Sequence, residues 1–126
     1  NIVNNSNDQN LTKEKIFIEK YAQDKFCTFK FTVSAMHDLI KLCDLCNNKH
    51  WFKNISKDMP ILLISGDGDP VGNYGKGVKE VYNKLISNDA LVKIKLYENC
   101  RHEIHNDTCR AEVFSDILNF ITIIKQ

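Results

Sequence analysis

The strongest constraint on the fold is a short apolar run, Ile61-Leu62-Leu63-Ile64, closed by Pro60 before it and Gly66 after it. It does not alternate with polar residues, so a strand buried on both faces is expected, as in a parallel sheet. A Gly-rich loop follows, Gly66-Asp67-Gly68-Asp69-Pro70-Val71-Gly72. Val78, Val81, Tyr82, Leu85 and Ile86 then fall at helical spacing. Val92-Lys93-Ile94-Lys95-Leu96 alternates apolar and charged residues, which predicts a strand with one open face. Val113, Phe114, Ile117, Leu118, Ile121 and Ile124 predict a last helix. Strand, helix, strand, helix is a βαβα unit of the α/β class. A crossover helix makes the two strands parallel and the connection right-handed.

The first half is less regular. Asn1 to Asn10 reads as a polar tail. Thr12 is expected to cap a helix bearing Ile16, Phe17 and Tyr21 on one face. Phe26 to Thr32 alternates like a short strand or extended loop. Ser34 is expected to cap a second helix whose apolar stripe is Met36, Leu39, Ile40, Cys43 and Cys46. Residues 47–58 contain Trp51 and run up to the helix-breaking Pro60.

With 126 residues the chain has room for one domain. A formal charge of +1 gives no basic footprint, so nucleic acid is not the expected partner. No apolar run reaches the ~18 residues of a membrane span. No charged-then-apolar leader opens the chain. Five cysteines, an odd number, do not suit a secreted disulfide framework, and a reducing cytoplasm fits best. The chain starts at Asn1 without Met, so it is expected to be an internal or C-terminal piece of a longer protein. A leader lost upstream is compatible with that.

Parallel topology brings both strand ends to one edge of the sheet, where open α/β folds bind ligands. Asp67 and Asp69 follow the first strand, and His102 follows the second. An Asp–His hydrogen bond across neighbouring loops would orient the imidazole as a general base. Spacing alone slightly favours a plainer account, in which Asp69 caps the turn and His102 lies on a surface loop.

Two motifs shift that balance. Pro60-Ile-Leu-Leu-Ile-Ser-Gly-Asp-Gly-Asp-Pro-Val-Gly-Asn-Tyr-Gly-Lys-Gly-Val78, followed by Leu96-Tyr-Glu-Asn-Cys-Arg-His-Glu103, resembles the C-terminal portion of α/β-hydrolases. The resemblance is to the serine aminopeptidase, monoacylglycerol lipase and lysophospholipase-like branch, and covers roughly residues 19 to 124. It implies that Asp69 is the catalytic acid, with Asp67 as fallback, and that His102 is the catalytic histidine. It also implies that residues 1–59 are a polar tail and lid-derived helices, with 60–126 the end of the hydrolase core. Hydrolysis of a lysophospholipid or monoacylglycerol ester through an acyl-enzyme is implied, with no cofactor. Phe26, Phe29, Phe31 and Trp51 are candidates to wall an acyl pocket, or to pack as lid or core. The nucleophile elbow G-x-S-x-G is missing, and Ser65 and Ser87 have the wrong neighbours. The serine is therefore expected upstream of Asn1, and the isolated chain is expected to be inactive. A lone pair of strands would pair with the missing N-terminal half or with a second copy by edge pairing or swapping.

A rival reading comes from Cys100, His102, His105 and Cys109, four zinc-type ligands within ten residues. Structural zinc sites usually draw ligands from two separated segments, and one short loop wraps four with strain. That set would make the chain a non-catalytic binding module. Cys43 and Cys46 with His50 form a second candidate, which core packing explains better. The Gly-rich loop fails as an EF-hand because Val71 and Val78 fall where oxygen ligands are needed. Gly72 to Gly77 lacks the spacing of a P-loop.

Overall fold

The structure, a computed structural model, describes residues 10–124. The order is α1 (Lys15–Gln23), α2 (Val33–Cys46), a 3₁₀ turn (Trp51–Asn54), β1 (Ile61–Gly66), α3 (Lys76–Ile86), β2 (Val92–Tyr97), a second 3₁₀ turn (Ile104–Asn106) and α4 (Arg110–Ile124). The two strands pair in parallel, from Ile61 opposite Val92 to Gly66 opposite Tyr97. The βαβα unit is thus present, and both strands end level at the same edge.

β1 departs from expectation in its burial: residues 61–65 are half-buried and only Gly66 is buried. Among the described residues the sheet has two strands, so one edge of β1 has no neighbour. The charged face of β2 is only partly open: Lys93 is exposed, while Lys95 is drawn to α4. Lys95 Nζ donates to Glu112 at 2.7 Å and to Asp116 at 2.5 Å, and Tyr97 Oη donates to Asp116 at 2.8 Å. These bonds fasten α4 across that face. Leu96 points the other way, against Gly75 at the start of α3.

The buried core is small: Tyr97, Cys100, Ile104 and Val113, with Ile64, Cys109 and Ile117 against it. α4 turns Val113, Asp116, Ile117 and Phe120 inward, while Phe114, Leu118 and Ile121 of the expected stripe are exposed. Period alone cannot choose between two apolar stripes on one helix.

Helix caps also differ. Thr32, not Ser34, caps α2, its Oγ1 accepting from Ala35 N at 3.1 Å. α1 starts after Glu14, while Thr12 is wholly buried and donates from Oγ1 to the Asn106 carbonyl at 2.8 Å. No residue of α2 is buried. Its stripe, Cys43 and Cys46 included, faces no described element, so the expected core packing of these thiols is not seen. The tail expected over residues 1–10 lies, but for Asn10, outside the described residues. No described helix is long and apolar enough to cross a membrane.

Candidate active site

Asp69 sits in the loop after β1 and is 5% exposed. Its Oδ1 accepts from Val71 N at 2.8 Å, and its carbonyl accepts from Tyr74 N at 2.8 Å. The loop therefore turns tightly around the aspartate and leaves Oδ2 aimed across the sheet edge. Asn73, Tyr74 and Gly75 all take positive φ there. Gly72 lets the backbone pass close to the carboxylate, because a Cβ at that position would lie 3.1 Å from Oδ2.

His102 follows β2, and its Nδ1 lies 3.0 Å from Asp69 Oδ2. The carboxylate is buried while the imidazole is 44% exposed, so one ring nitrogen is anchored and Nε2 is left for another group. With Nδ1–H donating to the carboxylate, Nε2 is the basic nitrogen. This arrangement can take a proton from a hydroxyl and hold the resulting imidazolium against a fixed negative charge.

Asp67 has a different task. Its Oδ1 accepts from Asn99 N at 2.6 Å, bracing one loop against the other. Gly68 N donates to the Cys100 carbonyl at 2.9 Å and Asp67 N to the Tyr97 carbonyl at 3.1 Å. Gly66 makes this close approach possible, since a Cβ there would overlap the Cys100 carbonyl.

The four ligands of the rival zinc reading are not gathered. Cys100 and Cys109 form a disulfide, His102 is on Asp69, and His105 Nε2 lies 3.3 Å from Asn106 Nδ2. Among the described residues no three His, Cys, Asp or Glu side chains converge as a metal site. The Cys100–Cys109 disulfide takes both thiols out of that candidate ligand set. Spacing could not show it, because two cysteines nine apart meet only when the loop doubles back.

The aromatic candidates are dispersed along the surface. Phe26 is 74% exposed, under the Lys25 ammonium at 5.0 Å. Phe29 and Phe31 pair at 5.0 Å, and Trp51 is half-buried, edge-on to Phe52. Phe31 lines an apolar groove of about 460 Å³ with Val33, Met36 and Ile40. Asp107, buried near His102, escaped the sequence reading, although an Asp just ahead of an apolar helix was an available signal. Thr12 was read there only as a helix cap, and nothing local marked its bond to Asn106.

Two parallel strands feeding an aspartate and a histidine to one edge define the end of an α/β-hydrolase core. The chain belongs to the serine aminopeptidase S33 family, whose profile matches residues 1–109. Its structure is similar to a highly thermostable carboxyl esterase from Bacillus coagulans, solved in complex with glycerol, at a TM-score of 0.79 and 33% identity, over 89% of this chain and 37% of that one. It is also similar to a lipase solved in an open form, at a TM-score of 0.79 and 28% identity, over 90% of this chain and 37% of the lipase. The chain thus spans little more than a third of either enzyme's length. No functionally curated protein matches it.

Proposed function

We propose that this chain supplies the acid and the histidine of a serine ester hydrolase. The observation that carries the reading is the 3.0 Å contact between Asp69 Oδ2 and His102 Nδ1. In this mechanism His102 Nε2 takes the proton of a serine hydroxyl as its oxygen bonds to the ester carbonyl carbon. The same nitrogen then gives that proton to the departing alcohol as the C–O bond breaks, leaving an acyl-enzyme. Water repeats the sequence and releases the acid. Asp69 holds the tautomer and balances the imidazolium, and the reaction calls for no cofactor.

The serine and its oxyanion hole come from outside these residues, since no G-x-S-x-G is present. In this reading residues 60–126 complete the core of a hydrolase whose other strands pair along the free edge of β1. The competing arrangement, edge pairing or swapping with a second copy, leaves the histidine without a nucleophile. Alone the chain is inactive.

The substrate class is a lipid-like ester, lysophospholipid or monoacylglycerol. The exposed apolar surface of residues 26–45 supports it: Phe26, Phe29, Phe31 and the α2 face are suited to an acyl chain, with Trp51 as a further candidate. Location in the cytoplasm is part of the reading, and there the Cys100–Cys109 pair would stand as two thiols. Thiol labelling of cells before lysis tests that directly.

The deciding experiment is hydrolysis by the full-length parent protein of monoacylglycerol, lysophosphatidylcholine and p-nitrophenyl butyrate. Turnover of the lipid esters, abolished by His102→Ala, supports the reading. Turnover of none, or turnover indifferent to His102→Ala, refutes it.

A further inference from the structure

The geometry points to Asp107 as a positioning residue for His102, acting with Thr12 as a bolt between the histidine loop and the approach to α1. This inference rests on the role proposed for His102. Asp107 is fully buried. Its carboxylate collects three backbone N–H groups: Arg101 N at 2.7 Å on Oδ2, and Thr108 N at 2.8 Å and Lys13 N at 3.2 Å on Oδ1. One of these donors immediately precedes His102 and another lies two residues before α1.

Thr12 works from the opposite side. Its hydroxyl donates to the Asn106 carbonyl at 2.8 Å and accepts from Glu14 N at 3.1 Å, and its carbonyl accepts from Arg101 Nη1 at 3.4 Å. The backbone joins in: His102 N donates to the Asn10 carbonyl at 3.2 Å and Glu103 N to the Leu11 carbonyl at 2.7 Å. α1 then borders the same loop, with Phe17, Lys20 and Tyr21 sharing a groove of about 230 Å³ with Glu103 and Asn106.

The backbone on both sides of His102 is therefore fixed by residues 10–14, some ninety positions away. Asp69 can aim the imidazole only if its Cα is held, and Asp107 and Thr12 hold it. Removing the carboxylate turns an acceptor into a donor facing a backbone N–H, so the loop must shift. Misplacing a catalytic group by about 1 Å costs on the order of 10²-fold in rate. Substrate binding, which depends on other surfaces, changes little.

The test uses the full-length parent protein, with active sites counted by a fluorophosphonate burst and p-nitrophenyl butyrate as substrate. Asp107→Asn is expected to lower kcat per titrated site by about 10²-fold, and Thr12→Val by about tenfold, with KM within about twofold in both. A purely structural role would reduce the number of titratable sites and leave kcat per site unchanged, and that result overturns the inference. Asp107→Glu, which keeps the acceptors, is expected to recover part of kcat. Should Asp107→Asn fail to fold, Thr12→Val decides by the same criterion. If the wild type hydrolyses no ester, the failure belongs to the proposed function. Amide exchange at Arg101 to Glu103 then decides the inference, with acceleration in Thr12→Val supporting it and unchanged rates overturning it.

Discussion

Asp69 and His102, 33 residues apart in the chain, meet at 3.0 Å because β1 and β2 run parallel and finish level, Gly66 beside Tyr97. Each loop leaves its strand at the same edge, and Gly66 and Gly68 let the two backbones touch. The meeting is a consequence of register, not of either loop alone.

Asp69→Asn in the full-length protein should lower kcat for ester hydrolysis by about 10⁴-fold, because an amide that donates to Nδ1 selects the wrong imidazole tautomer. A loss smaller than about tenfold in a steady-state esterase assay would remove Asp69 from the acid's role.

Asp67→Ala separates strut from acid. It loses the 2.6 Å bond to Asn99 N, so a stability cost of about 1–2 kcal/mol by urea titration is expected. The kcat of the folded enzyme should stay within about threefold of wild type, as expected for a group that does not touch the imidazole. A collapse of kcat matching that of Asp69→Asn would transfer the acid's role to Asp67.

Much of this arrangement was legible in the sequence. Ile61 to Ile64 and the alternation over Val92 to Leu96 located both strands, and Pro60, Gly66 and the Gly-rich loop bounded the first. Parallel topology put the loops bearing Asp67, Asp69 and His102 at one edge, and the family resemblance supplied the choice of Asp69 and its pairing with His102. The rest depended on contacts between distant segments. Thr12 reads as a helix cap until Asn106 is beside it. Cys100 and Cys109 offered a rival metal site, and only the closing of the loop on itself pairs them. Met36, Cys43 and the other α2 residues have the period of a packed helix, yet burial needs a partner and none is among the described residues. α4 shows the same limit, since Phe114 and Val113 are equally apolar and only the sheet chooses Val113.

Gly66→Ala should be among the most damaging single-methyl changes. The added Cβ would overlap the Cys100 carbonyl, which is itself bonded to Gly68 N, so neither backbone can yield. A cost of about 2–3 kcal/mol is expected in chemical denaturation, with loss of activity because the loop carrying His102 is displaced. Wild-type stability in this variant would refute the close approach.

The Lys95–Asp116–Tyr97 cluster makes the docking of α4 dependent on pH. Hydrogen bonds from Lys95 and Tyr97 hold the Asp116 carboxyl below its ordinary value, so its contribution exists above that value and disappears as pH falls through the lowered one. Burial, then the bond to Asp116, pushes Tyr97 up to about 12. Its contribution is complete below the ordinary tyrosine value and disappears as pH rises through about 12. Asp116→Asn should flatten the acid limb of a urea-midpoint profile and shrink the alkaline one. Profiles of the same shape for both proteins would contradict this.

The central claim is that His102, aimed by Asp69, activates a serine contributed by the rest of the protein. Its most direct test is labelling of the full-length parent with a fluorophosphonate probe, followed by peptide mapping. The account predicts one modified serine, lying in a G-x-S-x-G turn upstream of Asn1, with labelling slowed at least about 10²-fold by His102→Ala. No labelled serine, or labelling at the wild-type rate in His102→Ala, would contradict it.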